Sequence, residues 1–197
     1  MSDPCYQLIE SIYQDRRAHR SQCFLMNHID EGLVVLSGLQ ASLAAKQAFC
    51  LHPLVQMDED LRHHEHLLEG LPSRAVALAL EYRHIANGYL SQRTIESLED
   101  IRLSPLIEVQ QMLVADKIQN YKDFIGYHFT THARSHELWI YFHRWFARLG
   151  LSVEEVKANL NLLTSIEESP VWPDMDWQLP EHRWNQGWDI QWRPQDI

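Results

Sequence analysis

Glycine and proline are scarce in this sequence, since its 197 residues include only seven glycines and eight prolines. A turn-rich all-β fold uses more of both, because these two residues make many of its tight turns. No stretch shows the convincing alternation of apolar and polar side chains that a half-buried strand produces. The scarcity therefore favours a helical protein.

Cysteines are few and widely separated, at Cys5, Cys23 and Cys50. Their odd number and spacing suggest neither a disulfide framework nor a zinc ribbon, and reduced cysteines are typical of an intracellular protein. The N-terminus MSDPCYQLIE lacks the basic and apolar regions of a signal peptide. The most apolar stretch, residues 33–51, is interrupted by polar side chains. We therefore expect a cytoplasmic protein that does not enter a membrane.

Positive charge is also scarce, with 17 lysines and arginines against 27 acidic residues and a net charge of −10. This balance argues against binding to nucleic acid or to an anionic membrane surface. Residues 167–197 contain seven acidic residues and five tryptophans. We expect this Trp-rich acidic tail to pack on the helices or to contact a protein partner, including a second copy of the chain. Residues 1–166 are then one helical domain.

Helix signals dominate the chain from its start to residue 166. Pro4 lies in the first turn of a helix predicted over residues 4–19. The apolar segments 27–40 and 41–52 predict two largely buried helices, and the second should end or kink before Pro53. Further helices are predicted after Pro72, after Ser104-Pro105, over HELWIYFHRWFARLG with Gly150 as its cap, and from the capping box of Ser152 and Glu155 to about residue 166. The expected fold is an all-α single-domain bundle of seven to nine helices.

Asp116 is an unexpected residue in its helix, because it follows directly on the apolar run of residues 112–115. Asp116, Asn120 and Asp123 share one helical stripe, and apolar side chains cover the opposite face. A partly buried carboxylate needs a metal, a cation or several hydrogen-bond donors, since its unpaired burial costs several kcal/mol. The helix alone leaves a metal site, an interhelical salt bridge and a surface position open.

Two histidines precede Asp116 at helix ends, His28 in NHIDEGLVV and His52 in AFCLHP, while Asp116 itself lies in VADKIQN. This ordered set resembles the HD superfamily of metal-dependent phosphohydrolases. It resembles more narrowly the RelA/SpoT-type hydrolase domains and their small stand-alone relatives, which remove pyrophosphate from guanosine tetraphosphate. The segment AHRSQ at residues 18–22 is similar to the basic HRxQ element of those hydrolases, and the resemblance extends over roughly residues 15–145.

The resemblance implies an HD-type helical bundle in which His28, His52 and Asp116 hold a divalent metal ion, with manganese as the expected ion. It also implies a phosphohydrolase that acts on a nucleotide or another phosphorylated small molecule, such as guanosine tetraphosphate. Asn120 would then orient a ligand or the nucleotide. Basic side chains are candidates for binding the phosphates, and each has a surface charge as its alternative explanation. These candidates are Arg16, Arg20, Lys117 and Lys122.

The chain departs from the family pattern directly after the second histidine. Pro53 stands where the family has the aspartate of its His-Asp pair, and Gln56 and Met57 replace a Glu-Asp pair thought to handle the attacking water. Neither an amide nor a thioether can take a proton from water. Asp58 and Glu59 follow at once and are the candidate catalytic replacements. The rival hypothesis is a catalytically degenerate HD domain that binds a nucleotide or a protein without turnover, with the tail as its contact surface.

Overall fold

A computed structural model describes residues 3–19, 21–91, 97–129 and 131–164. Within these ranges the protein has eight α-helices and no β-strand, and one isolated antiparallel bridge joins Arg17 to Phe24. The predicted all-α single-domain bundle is thereby confirmed. The helices are α1 (Pro4–Tyr13), α2 (Leu25–Gly38), α3 (Leu43–Val55), α4 (Asp58–His64), α5 (Ser73–Ser91), α6 (Ile107–Asp123), α7 (Ser135–Arg148) and α8 (Val153–Thr164).

Helix α6 is the centre of the bundle, because α2, α3, α5, α7 and α8 all pack against it. Its side chains are buried almost without interruption from Met112 to Gln119. A helix covered on every side must bury its polar residues together with its apolar ones. The carboxylate of Asp116 is therefore placed in the interior by the packing of α6.

The caps predicted around Gly150 are confirmed. Gly150 adopts a φ of 73°, which is the left-handed conformation that favours glycine after a helix. The N–H groups of Gly150 and Leu151 bond back to Ala147 and Phe146 of α7. At the start of α8, Ser152 and Glu155 form the predicted capping box, with each side chain accepting the other residue's backbone N–H. The turn between α7 and α8 is thus fixed by local sequence.

One predicted helix end is wrong, and one alternative of a second prediction is excluded. Helix α1 ends at Tyr13 rather than near residue 19, because Gln14 adopts a φ of 44° and the chain turns away from the helix axis. For α3 an end or a kink before Pro53 was predicted, and the helix does not end there but continues through Pro53 to Val55. The backbone bond that Pro53 cannot make is compensated by the side chain of His52, which bonds to the Phe49 carbonyl.

The C-terminal tail of residues 167–197, its tryptophans and the predicted boundary at residue 166 lie outside the described residues. None of the helices in the described ranges combines the length and the apolar composition needed to cross a membrane.

The part of the fold that positions the site is the central helix α6 with α2 and α3 packed on it.

Candidate metal site

Three helices bring His28, His52 and Asp116 together. His28 lies in the first turn of α2, His52 in the last turn of α3 and Asp116 in the middle of α6. The two Nε2 atoms are 3.1 Å apart, and Asp116 Oδ1 lies 3.6 Å from His28 Nε2 and 3.8 Å from His52 Nε2. Residues separated widely in sequence thus form one group of potential metal ligands.

The ring of His52 is held with its Nε2 lone pair toward the group. Its Nδ1 lies 2.6 Å from the carbonyl oxygen of Phe49. A carbonyl can only accept a hydrogen bond, so Nδ1 carries the hydrogen and Nε2 carries a lone pair. Burial, followed by the neighbouring His28, lowers the pKa of His52 to about 3. The imidazole is therefore neutral at pH 7, which is the form that binds a metal.

His28 has the same tautomer for a different reason. Its Nδ1 lies 2.5 Å from Gln119 Oε1. The amide of Gln119 is oriented by its Nε2, which donates to Glu31 Oε2 at 3.0 Å and to Asp123 Oδ2 at 2.9 Å. The amide oxygen must then face His28 and accept from Nδ1, which leaves a lone pair on Nε2. Histidines that bind metals in proteins almost always donate their other ring N–H in this manner.

The three converging atoms have the spacing of a metal coordination sphere. A triangle with sides of 3.1, 3.6 and 3.8 Å has a centre that is equidistant from its corners, at about 2.0 Å. Bonds from zinc to histidine nitrogen and carboxylate oxygen are about 2.0–2.2 Å long. Two neutral imidazoles and one carboxylate suit several divalent transition metals. The residues present therefore fit a metal ion without rearrangement.

The carboxylate of Asp116 is kept ionised by its neighbours. Burial on its own raises the pKa of Asp116, but the pKa lies well below its usual range, and the Lys117 ammonium is the largest of the effects that lower it. The Lys117 ammonium lies 2.7 Å from Oδ2, and Asn120 Nδ2 donates to Oδ1 at 2.8 Å. These two contacts fix the orientation of the carboxylate and leave Oδ1 directed at the imidazoles.

Aromatic rings hold the two imidazoles in place. The Phe49 ring stacks on His28, with centroids 5.6 Å apart, and packs at 4.6 Å against His52. Tyr82 of α5 meets the other side of His52 edge-on at 4.9 Å. Gly32 of α2 lies so close to the Phe49 ring that a methyl group there would overlap it. The close approach of α2 and α3 at this point thus depends on the absence of a side chain.

The remaining predicted site residues lie apart from this group or are paired within the protein. Asp58 and Glu59 are exposed at the start of α4, and the Asp58 carboxylate forms an ion pair with Arg83. Arg16 is exposed in the turn after α1, and Arg20 lies outside the described residues. Lys117 and Lys122 are buried and form ion pairs with acidic residues of the bundle, Asp116 for Lys117 and Glu31 and Asp123 for Lys122.

Sequence reasoning missed three residues that support the group: Gln119, Glu31 and Tyr82. Gln119 is fully buried, and it is one helical turn from Asp116. Its place three residues after Asp116, on a neighbouring position of the same helix surface, was a signal that could have marked it as a candidate. Tyr82 gave no comparable signal, because an aromatic residue in a core helix is normally explained by packing alone.

Comparisons with known proteins return no match: no family model, no curated protein and no solved structure is similar to this chain. The resemblance to the HD superfamily therefore stays a prediction from the ordered motifs.

Proposed function

We propose that the protein binds a divalent metal ion through His28, His52 and Asp116 and acts as an HD-type phosphohydrolase on a nucleotide or another phosphorylated small molecule. The observation that supports this proposal is the convergence of two imidazole lone pairs and one carboxylate oxygen at the distances of a coordination sphere. Manganese is the preferred ion and guanosine tetraphosphate the preferred test substrate, because the motif resemblance implies them.

A bound divalent ion would supply Lewis acidity, which polarises a phosphoryl group and makes water more acidic. The protein's own contribution is to fix the ligands. Asn120 and Lys117 orient the carboxylate of Asp116, while Gln119 and the Phe49 carbonyl orient the two imidazoles. Supporting contacts of this kind usually raise metal affinity by about 10–100-fold.

The charge balance of the site favours an anionic ligand. Lys117 already neutralises Asp116, with 2.7 Å between the ammonium and the carboxylate, and both imidazoles are neutral ligands when they bind a metal. His28, His52 and the Asp116–Lys117 pair would therefore add no net negative charge to balance a divalent ion. A phosphate group would complete the balance. The side chain of His28 is 21% exposed while those of His52 and Asp116 are 5% exposed, so the ligand approaches past His28.

The second candidate function is a degenerate HD domain that binds its ligand without turnover. Three features of the described residues favour it. Pro53 stands in place of an acidic ligand, Gln56 is engaged in hydrogen bonds with Asn87, and Asp58 is tied to Arg83 at the surface. The proposed proton acceptors Asp58 and Glu59 thus stay predictions. A protein contact through the C-terminal tail is part of this second proposal.

We also propose a cytoplasmic location. The three cysteines are all free thiols in the structure, and Cys5 and Cys50 are buried. Free buried thiols agree with a reducing compartment. Fractionation of the cells that produce the protein would test the location, and recovery outside the cytoplasm would contradict it.

The experiment that separates the two candidates begins with metal analysis of the purified protein. Titration with Mn²⁺ and assays against guanosine tetraphosphate and p-nitrophenyl phosphate follow. Phosphate or pyrophosphate release that depends on Mn²⁺ and is lost in Asp116→Asn supports the enzyme. Metal uptake with no release supports the binding module, and the absence of both contradicts the metal proposal.

A further inference from the structure

Pro53 removes one hydrogen bond from helix α3 at the position of the site. In an α-helix the N–H of each residue bonds to the carbonyl of the residue four positions earlier. The partner of position 53 is the carbonyl of Phe49. Proline has no N–H, and its ring also pushes against that carbonyl. The Phe49 oxygen is thus released from the regular helical ladder although α3 continues to Val55.

The released oxygen is the atom that His52 uses. His52 Nδ1 lies 2.6 Å from the Phe49 oxygen, and both residues are buried, at 4% and 0% exposure. A side chain that bonds to a carbonyl of its own helix normally shares that oxygen with a backbone N–H, as His143 Nδ1 does at 2.7 Å from the Trp139 oxygen inside α7. Pro53 has no N–H, so His52 does not share the Phe49 oxygen with a backbone donor at position 53.

We propose that Pro53 is a positioning residue that holds His52 in the tautomer with the hydrogen on Nδ1, so that the Nε2 lone pair is available to the metal. This inference rests on the proposed metal site and concerns how one ligand is prepared for it. Pro53, which stands where the resemblance expects an aspartate, then supports the site by orienting His52 and not by binding the metal itself.

A residue with an N–H at this position would compete for the Phe49 oxygen. His52 Nδ1 would lose exclusive use of its acceptor, and the tautomer with hydrogen on Nε2 would become accessible. That hydrogen would point at His28 Nε2, which is only 3.1 Å away, and would occupy the lone pair that the metal requires. Loss of an orienting partner of this kind typically costs about 10–100-fold in metal affinity.

The test compares the full-length wild-type protein with Pro53→Ala. Alanine is the most favourable residue in a helix, so the variant should fold, and circular dichroism would verify this. Pro72→Ala is the matched control, because it removes a proline next to helix α5 rather than inside α3. The ¹⁵N spectra of the metal-free, histidine-labelled proteins report the tautomer, with His52 assigned by its loss in His52→Gln. Co²⁺ absorption titrations report the affinity.

The expected result is a single Nδ1–H tautomer of His52 in the wild type and in Pro72→Ala. In Pro53→Ala we expect Nε2–H tautomer to appear and Co²⁺ affinity to fall about 10–100-fold. An unchanged tautomer in Pro53→Ala, or an unchanged Co²⁺ affinity, would overturn the proposal. If the wild type takes up no Co²⁺, the proposed function fails, and the tautomer of the metal-free variant still decides the role of Pro53.

Discussion

Two polar clusters lie side by side in the bundle, one between α2 and α6 and the other where α2, α3 and α6 meet, and they satisfy their polar atoms in different ways. The lysine cluster contains Glu31, Lys122 and Asp123. The Lys122 ammonium forms an ion pair with Glu31 and lies 3.2 Å from Asp123 Oδ1. Gln119 donates to both carboxylates. Every carboxylate of this cluster thus faces a donor from within the chain.

The candidate metal-ligand cluster contains His28, His52 and Asp116. It shares Gln119 with the lysine cluster, and Asp116 also accepts from Lys117 and Asn120, but the three atoms that face one another are all acceptors. The two Nε2 atoms approach to 3.1 Å with an ionised carboxylate oxygen beside them. Three acceptors at such distances repel one another unless a cation lies between them. Burial of polar groups alone therefore does not mark a binding site, whereas acceptor atoms that face one another at short distances do.

The largest expected effect compares Asp116→Asn with Glu31→Gln. Each substitution leaves a buried lysine, Lys117 or Lys122, without its principal carboxylate, and removing one partner of a buried ion pair typically costs about 3–5 kcal/mol. Urea unfolding of the metal-free proteins would measure both losses. We expect Mn²⁺ uptake to vanish only in Asp116→Asn. Equal loss of uptake in the two variants would remove the distinction between the clusters.

A bound metal should stabilise the folded state of the wild type. At a free Mn²⁺ concentration 100 times the dissociation constant, the free energy of unfolding should rise by about 2.7 kcal/mol, and chelation should reverse the gain. We expect the gain to disappear in His28→Gln. His63→Gln is the control, because His63 is exposed on α4. A persisting gain in His28→Gln would show that the ion binds elsewhere.

Substitutions at two glycines of α2 test the packing around the two imidazoles. Gly32→Ala places a methyl group against the Phe49 ring, and overpacking of this kind typically costs about 1–3 kcal/mol. The displaced ring should also weaken metal binding, since it packs on both imidazoles. Gly38 has open space around it, so Gly38→Ala should stay within about 1 kcal/mol of the wild type. Thermal unfolding of the two variants provides the comparison, and similar losses would argue against the tight contact.

The smallest expected effect is the pH dependence that His52 gives to the folding stability of the metal-free protein. Its pKa falls from 6.5 to about 3 on folding, so the unfolded chain binds the proton more readily. The contribution of neutral His52 to the free energy of unfolding is complete above about pH 6.5 and is lost progressively as the pH falls toward 3. Between pH 6 and pH 5 the wild type should lose about 1 kcal/mol more than His52→Gln. Parallel pH profiles of unfolding would contradict the buried neutral state.

The helical architecture could be predicted from the sequence, because periodic apolar residues and the caps near Gly150 specify helices. The convergence of His28, His52 and Asp116 was expected from the ordered motifs, and the structure brings the three side chains together, while their role as metal ligands stays a prediction. The contacts of Gln119 with His28 and Glu31 could not be predicted, since they depend on how α2 lies against α6. The continuation of α3 through Pro53 is accompanied by a side-chain bond from His52 to the Phe49 carbonyl, which no helix-ending rule includes.

The central claim is that the protein holds a metal ion among His28, His52 and Asp116. Anomalous diffraction at the manganese edge, from crystals of the wild-type protein grown with Mn²⁺, tests it most directly. The account predicts one strong peak within about 2.0–2.3 Å of His28 Nε2, His52 Nε2 and Asp116 Oδ1. The absence of a peak among these atoms, or an imidazole turned away from the other two ligands, would contradict it.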